Sequence, residues 1–127
     1  MTTPALADHT KDLQQAVQRA IDDGSLGEPR FARFVAHSPL PDLVSITANR
    51  LIEMAEAWFG EPYVERSTRH DGADVSVTEL LKWPGGQGAL VVVSASPPTT
   101  GAAIDLMFIG SRGTLYHEAE NVKGKTQ

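Results

Sequence analysis

The sequence predicts an α+β domain: an antiparallel sheet of five or six strands with two helices packed on one face. Three observations carry this. Helical periodicity is confined to the chain before Gly60, everything after Pro62 is written in strands and turns, and several of those strands are apolar on both alternations.

Residues 1–7 read as a loose lead-in, with Asp8 or Thr10 placed to cap a first helix. Leu13, Ala16, Val17, Ala20 and Ile21 give that helix an apolar face opposite Lys11, Asp12, Gln15 and Arg19, and Gly24 stops it. The turn Gly24-Ser25-Leu26-Gly27-Glu28-Pro29 delivers the chain into a strand over 30–38. Phe31 and Val35 lie on one alternation and Ala32, Phe34 and Ala36 on the other, which predicts an interior strand. Pro39-Leu40-Pro41-Asp42 is a loop, with Asp42 set to cap a second helix reaching Phe59. Leu51, Met54, Ala55 and Trp58 recur at i, i+3, i+4 and i+7, widened by Ile52 and Phe59, so this helix lies apolar side down on a larger surface. Gly60 ends it and Pro62 forbids more helix.

Residues 63–70 are polar on alternate positions, and Asp71-Gly72 is a hairpin turn signal. Val75, Val77, Glu79, Leu81 and Trp83 face one way on the next strand; Ser76, Thr78, Leu80 and Lys82 face the other. Pro84-Gly85-Gly86 turns the chain into 89–95, whose run Leu90-Val91-Val92-Val93 is too apolar for a strand with one wet face. A loop at 97–101 leads to a strand over 102–109 interrupted only by Asp105. Gly110-Ser111-Arg112-Gly113 turns into 114–120, and 121–127 is polar and expected to fray. Tight successive turns imply antiparallel pairing throughout. No third helix is available to cover the second face of the sheet, so that face is expected to be available for dimerisation.

The 127 residues fit one domain, spanning 1–127. The 16 acidic residues outnumber the 11 basic ones, and no basic stripe is present, which argues against nucleic acid or anionic lipid as a partner. Without cysteine there is no disulfide, thiolate nucleophile or cysteine-ligated metal. No apolar run approaches the roughly 20 residues of a bilayer span, and no basic-then-apolar leader is visible, so the expected location is cytoplasmic. His9, His37, His70 and His117 are too dispersed for a local metal motif. Trp58 and Trp83, each on an apolar face, read as core.

Three stretches carry a resemblance. AIDDGSLGEP at 20–29, LIEMAEAWFGEP at 51–62, and a β-meander ending in IDLMFIGSRGTLYHEA at 104–119 are together similar to the C-terminal domain of the Gfo/Idh/MocA oxidoreductase family. The matching positions are Gly24, Leu26 and Gly27; Gly60, Glu61 and Pro62; and Gly110, Gly113 and Leu115. The resemblance covers roughly residues 11–119 and implies a substrate-binding and oligomerisation domain. Family members also carry a dinucleotide-binding domain with a Gly-rich turn and a Glu-Lys-Pro motif. This chain has neither, and Gly85-Gly86-Gln87-Gly88 lies between two strands, where it reads as a turn. Met1 and the capped first helix favour an independent start, hence a domain standing alone.

The resemblance also implies an Asp and a His, four residues apart, at the start of the long helix. Those positions fall on Ile46 or Ser45, and on Arg50 or Asn49, so neither proton donor is retained. No catalytic residue, cofactor or metal is therefore expected. Asn49, Arg50 and His37 are the candidate ligand-binding residues, for a small polar or sugar-like molecule; the alternative is a solvated first turn of helix. The expected function is a non-catalytic domain that associates through its sheet face, as a homodimer or as the small subunit of a separate nucleotide-binding oxidoreductase chain. The alternative is a small cofactor-independent enzyme (lyase, isomerase or cyclase) or ligand binder using the former substrate pocket.

Overall fold

The computed structural model describes residues 4–38, 41–71, 76–95 and 103–117. In chain order the elements are α1 (Pro4–Asp22), β1 (Pro29–Ser38), a short 3-10 helix (Pro41–Leu43), α2 (Val44–Phe59), β2 (Glu65–Asp71), β3 (Ser76–Lys82), β4 (Gly88–Ala95), β5 (Ala103–Gly110) and β6 (Thr114–His117). Gly72 of the expected Asp71-Gly72 turn, the loop at 97–101 and the tail at 121–127 lie outside the described residues.

The six strands form one sheet in the order β2-β3-β4-β1-β5-β6. It is a mixed sheet, which corrects the expectation of a purely antiparallel one. β1 runs parallel to β4, with Phe34 opposite Val91, and antiparallel to β5, with Phe34 opposite Leu106. The cause is the position of β1: it enters between β4 and β5, so those two strands, consecutive in sequence, are not neighbours. The end of β4 and the start of β5 are therefore two strand spacings apart, about 10 Å, which a two-residue hairpin could not bridge. The apolar character of both faces of β1 and β4 is what that interior location requires.

Two boundaries also differ. α1 begins at Pro4 rather than at Asp8 or Thr10; proline suits a first helical position, where its missing N–H has no bond to make. Asp42 does not cap α2: the N-cap is Leu43, with no side-chain cap bond, because the chain enters the helix through the 3-10 turn that contains Asp42.

One core joins the two helices to the sheet. Leu13 and Val17 of α1 and Leu51, Ala55 and Trp58 of α2 are buried with Phe34, Val91 and Phe108. Trp58 is the hub. Its ring stacks on Phe34 at 5.8 Å, meets Phe108 edge-on at 5.3 Å, and donates its Nε1–H to the Gln14 carbonyl at 3.3 Å, tying α2 to α1. Trp83 packs edge-on against Phe59 at 4.6 Å and donates to the Glu61 carbonyl at 2.6 Å, which fixes the exit from α2. Gly60 makes that exit possible with φ +81°, its N–H bonding the Glu56 carbonyl at 2.9 Å.

The other two glycine turns interlock. Arg112 N–H donates to the Leu26 carbonyl and Ser111 N–H to the Glu28 carbonyl, each at 2.9 Å, while Ser111 Oγ accepts from Glu28 N–H at 2.9 Å. Backbone approaches backbone so closely that a Cβ on Gly110 would run into the Leu26 carbonyl. This contact is the physical reason for glycine at Gly27 and Gly110.

Candidate functional site

The strands alternate cleanly. Ala32, Phe34, Ala36 and Ser38 of β1 are buried on the helix side, and Phe31, Arg33, Val35 and His37 are half-buried on the open side. The same alternation places Leu80, Leu90, Val92, Asp105, Met107, Ile109 and Tyr116 on that open face. Leu80 and Tyr116 stay 45% and 57% exposed, which makes them the outermost large apolar side chains of the face. Register lines up Leu80, Leu90, Arg33, Met107 and Tyr116 in one row across β3, β4, β1, β5 and β6.

The helix side carries a polar corner where α2 meets the edge strand β2. Glu79 occupies a core position on β3, between Val77 and Leu81, and is only 2% exposed. Its carboxylate is held by Arg66, whose Nε donates to Oε1 at 2.9 Å and Nη2 to Oε2 at 2.8 Å, and by Thr68 Oγ1, which donates to Oε1 at 2.6 Å. Thr68 is the register partner of Glu79, so the hairpin itself delivers that bond. Arg66 reaches further, to Asn49 Oδ1 and to Tyr63 Oη, both at 3.3 Å. Burial pushes the Glu79 carboxyl up, but the hydrogen bonds from Arg66 and Thr68 and the charges of Arg66 and His70 outweigh it and hold the group below its usual range. The hydrogen bond to Glu79, then that to Tyr63, raises Arg66 in turn.

Of the three expected ligand residues, Asn49 belongs to this corner. Arg50 lies round the helix, lining a shallow groove with Gln14, Glu53 and Met54. His37 is on the opposite face of the sheet, beside Ser94 and Ala103 in register, so the structure does not bring it to Asn49 and Arg50. His117, opposite Leu106, faces the helix side and is likewise separated from His37. Among the described residues no group of histidines and carboxylates could hold a metal. Sequence reasoning passed over Arg66, and set Glu79 on the apolar face of its strand without Arg66 as its partner. Their signal was a lone acid on an otherwise apolar strand face beside a strand with an arginine.

No family model matches the chain, and no curated protein matches it in sequence. Solved structures do share its fold. A probable dehydrogenase from Thermotoga maritima superposes with a TM-score of 0.67 at 15% identity, over 83% of this chain and 38% of that one. A putative myo-inositol dehydrogenase from Sinorhizobium meliloti 1021 gives 0.64 at 24%, over 83% and 38%. A scyllo-inositol dehydrogenase from Lactobacillus casei gives 0.68 at 13%, over 83% and 37%. The chain therefore has a fold found within Gfo/Idh/MocA-type dehydrogenases, as the resemblance of its glycine turns implied. It spans well under half the length of those proteins, and a C-terminal-like portion fits that span.

Proposed function

We propose that this chain is an association domain: a dehydrogenase-type scaffold, without catalytic groups of its own, that pairs with a second copy through the open face of its sheet. The observation that carries this reading is the row Leu80, Leu90, Met107 and Tyr116, apolar side chains spread over four strands with no element of the chain above them among the described residues. The edge supports a face-to-face mode. β2 reads Glu-Arg-Ser-Thr-Arg-His-Asp, a charged strand of the kind that discourages edge pairing. Among the described residues no helix is long and apolar enough to cross a membrane; the reading places the protein in the cytoplasm.

Sedimentation velocity tests it, with Leu80→Glu and Tyr116→Glu as variants. The wild type should be a dimer and each variant a folded monomer by circular dichroism, since both side chains are already about half exposed. A monomeric wild type refutes the reading. If a tagged chain instead captures a separate nucleotide-binding oxidoreductase from its host, the face serves as a subunit contact and the self-pairing is wrong.

The polar corner favours a second reading, a ligand binder or cofactor-independent enzyme for a small polar or sugar-like molecule. Asn49 is there, and Arg66 keeps one Nη1 hydrogen beyond its bonds to Glu79, Asn49 and Tyr63. Polyols and hydroxy acids should then raise the melting temperature, and Asn49→Ala should abolish the rise. No shift with any of them removes this reading.

A further inference from the structure

Arg33 stands in the middle of the open face. Its register neighbours are Leu90 on β4 and Met107 on β5, and Phe31 and Val35 flank it along its own strand. It is half-buried, and among the described residues it makes no ion pair or hydrogen bond. A guanidinium cannot escape burial by losing its proton. If this face is covered, Arg33 needs an acceptor beside it, because an all-apolar cover would leave an uncompensated charge beneath it.

The face itself supplies one. Asp105 on β5 sits opposite Val35, one strand across and two residues along from Arg33. It is engaged within its own chain as well, and a carboxylate has room for more than one donor. A two-fold axis lying in the interface and bisecting the line from Arg33 to Asp105 sets each against the other residue of the second copy, so that one contact occurs twice. We propose that a second copy of this chain closes the sheet face through reciprocal Arg33–Asp105 pairs. The proposal rests on the association reading above, and the experiment separates the two.

Arg33→Asp places two acids together at both contacts of its own dimer, and Asp105→Arg places two guanidiniums there. Each variant alone should weaken the dimer by about tenfold or more. An equimolar mixture restores an Arg–Asp pair at both contacts and should recover wild-type affinity to within about threefold. Sedimentation velocity reads the affinities, and circular dichroism checks the fold of each variant. Two variants that dimerise like wild type, or a mixture that stays monomeric while Leu80→Glu breaks the wild-type dimer, overturns the pairing and leaves the face. A monomeric wild type overturns both. If Asp105→Arg does not fold, the series wild type, Arg33→Gln, Arg33→Asp decides: affinity should fall in that order, and an unchanged series overturns the proposal.

Discussion

Removing Arg66 should leave the buried Glu79 carboxylate without its counter-charge. Glu79 is 2% exposed, and two of its three hydrogen bonds come from that one guanidinium. Arg66→Met keeps the aliphatic stem and deletes the charge. Breaking a buried pair from one side costs about 3–5 kcal/mol. The Arg66 side chain is 33% exposed, so water reaches part of the gap and the lower end, about 3 kcal/mol, is expected. Glu79→Leu should cost less, about 1 kcal/mol, because the released Arg66 can turn to solvent while leucine fills the core position between Val77 and Leu81. The double variant, an apolar pair in place of an ionic one, should lie within about 1 kcal/mol of wild type. Urea unfolding reads these values, with Arg66→Met shifting the midpoint by about 1–3 M. Equal costs for the two single variants would refute the assignment of Glu79 as the buried partner.

The same experiment has a pH arm of opposite sign in the two proteins. In wild type the folded Glu79 carboxyl lies below its ordinary 4.5. Its stabilisation is therefore complete above that value and is lost as pH falls through the lower folded value. In Arg66→Met, burial acts without its main opponent and raises the folded pKa, so protonation favours the folded state. The deficit of Arg66→Met relative to wild type should thus shrink steadily on acidification from pH 8 towards 4. A deficit that does not change with pH would show that Glu79 is solvated once Arg66 is gone.

Two further substitutions test the backbone. Gly110→Ala should destabilise by about 2 kcal/mol or more in thermal unfolding, because the new Cβ meets the Leu26 carbonyl, whereas Gly60→Ala, at φ +81° with open space around it, should cost only about 1 kcal/mol. Asp42→Ala should change stability by no more than about 0.5 kcal/mol, since Asp42 is exposed and makes no cap bond to α2.

The helices and strands were legible because their signals are local. The stripe from Leu51 to Trp58, the alternation on β1, and the glycine stops all depend on residues within one element. The pairing of β1 was not. Nothing local distinguishes a strand beside its sequence neighbour from one inserted between two later strands. Glycine turns recognisable at Gly24–Gly27 and Gly110–Gly113 are explained by the backbone bonds that join them. They report the packing of the scaffold and say nothing about chemistry. His37 illustrates the limit: proximity in an imagined pocket took no account of a period of two, which turns it away from α2.

That period also gives the sheet its two characters. Glu79 and Arg33 are both charges set among apolar neighbours on a central part of the sheet, one on each face. Glu79 points under α2, where a chain-local hairpin provides Thr68 and Arg66, and its charge is neutralised before any partner arrives. Arg33 points the other way, where it makes no ion pair or hydrogen bond among the described residues. If that face stayed in water, Arg33 would be an ordinary half-solvated cation, but Leu80 and Tyr116 would remain exposed beside it. Covering those two side chains also covers Arg33. If a second copy closes this face as proposed, affinity and selectivity are coupled: the apolar row supplies the gain on association, and the guanidinium restricts that gain to a partner presenting an acid at one place.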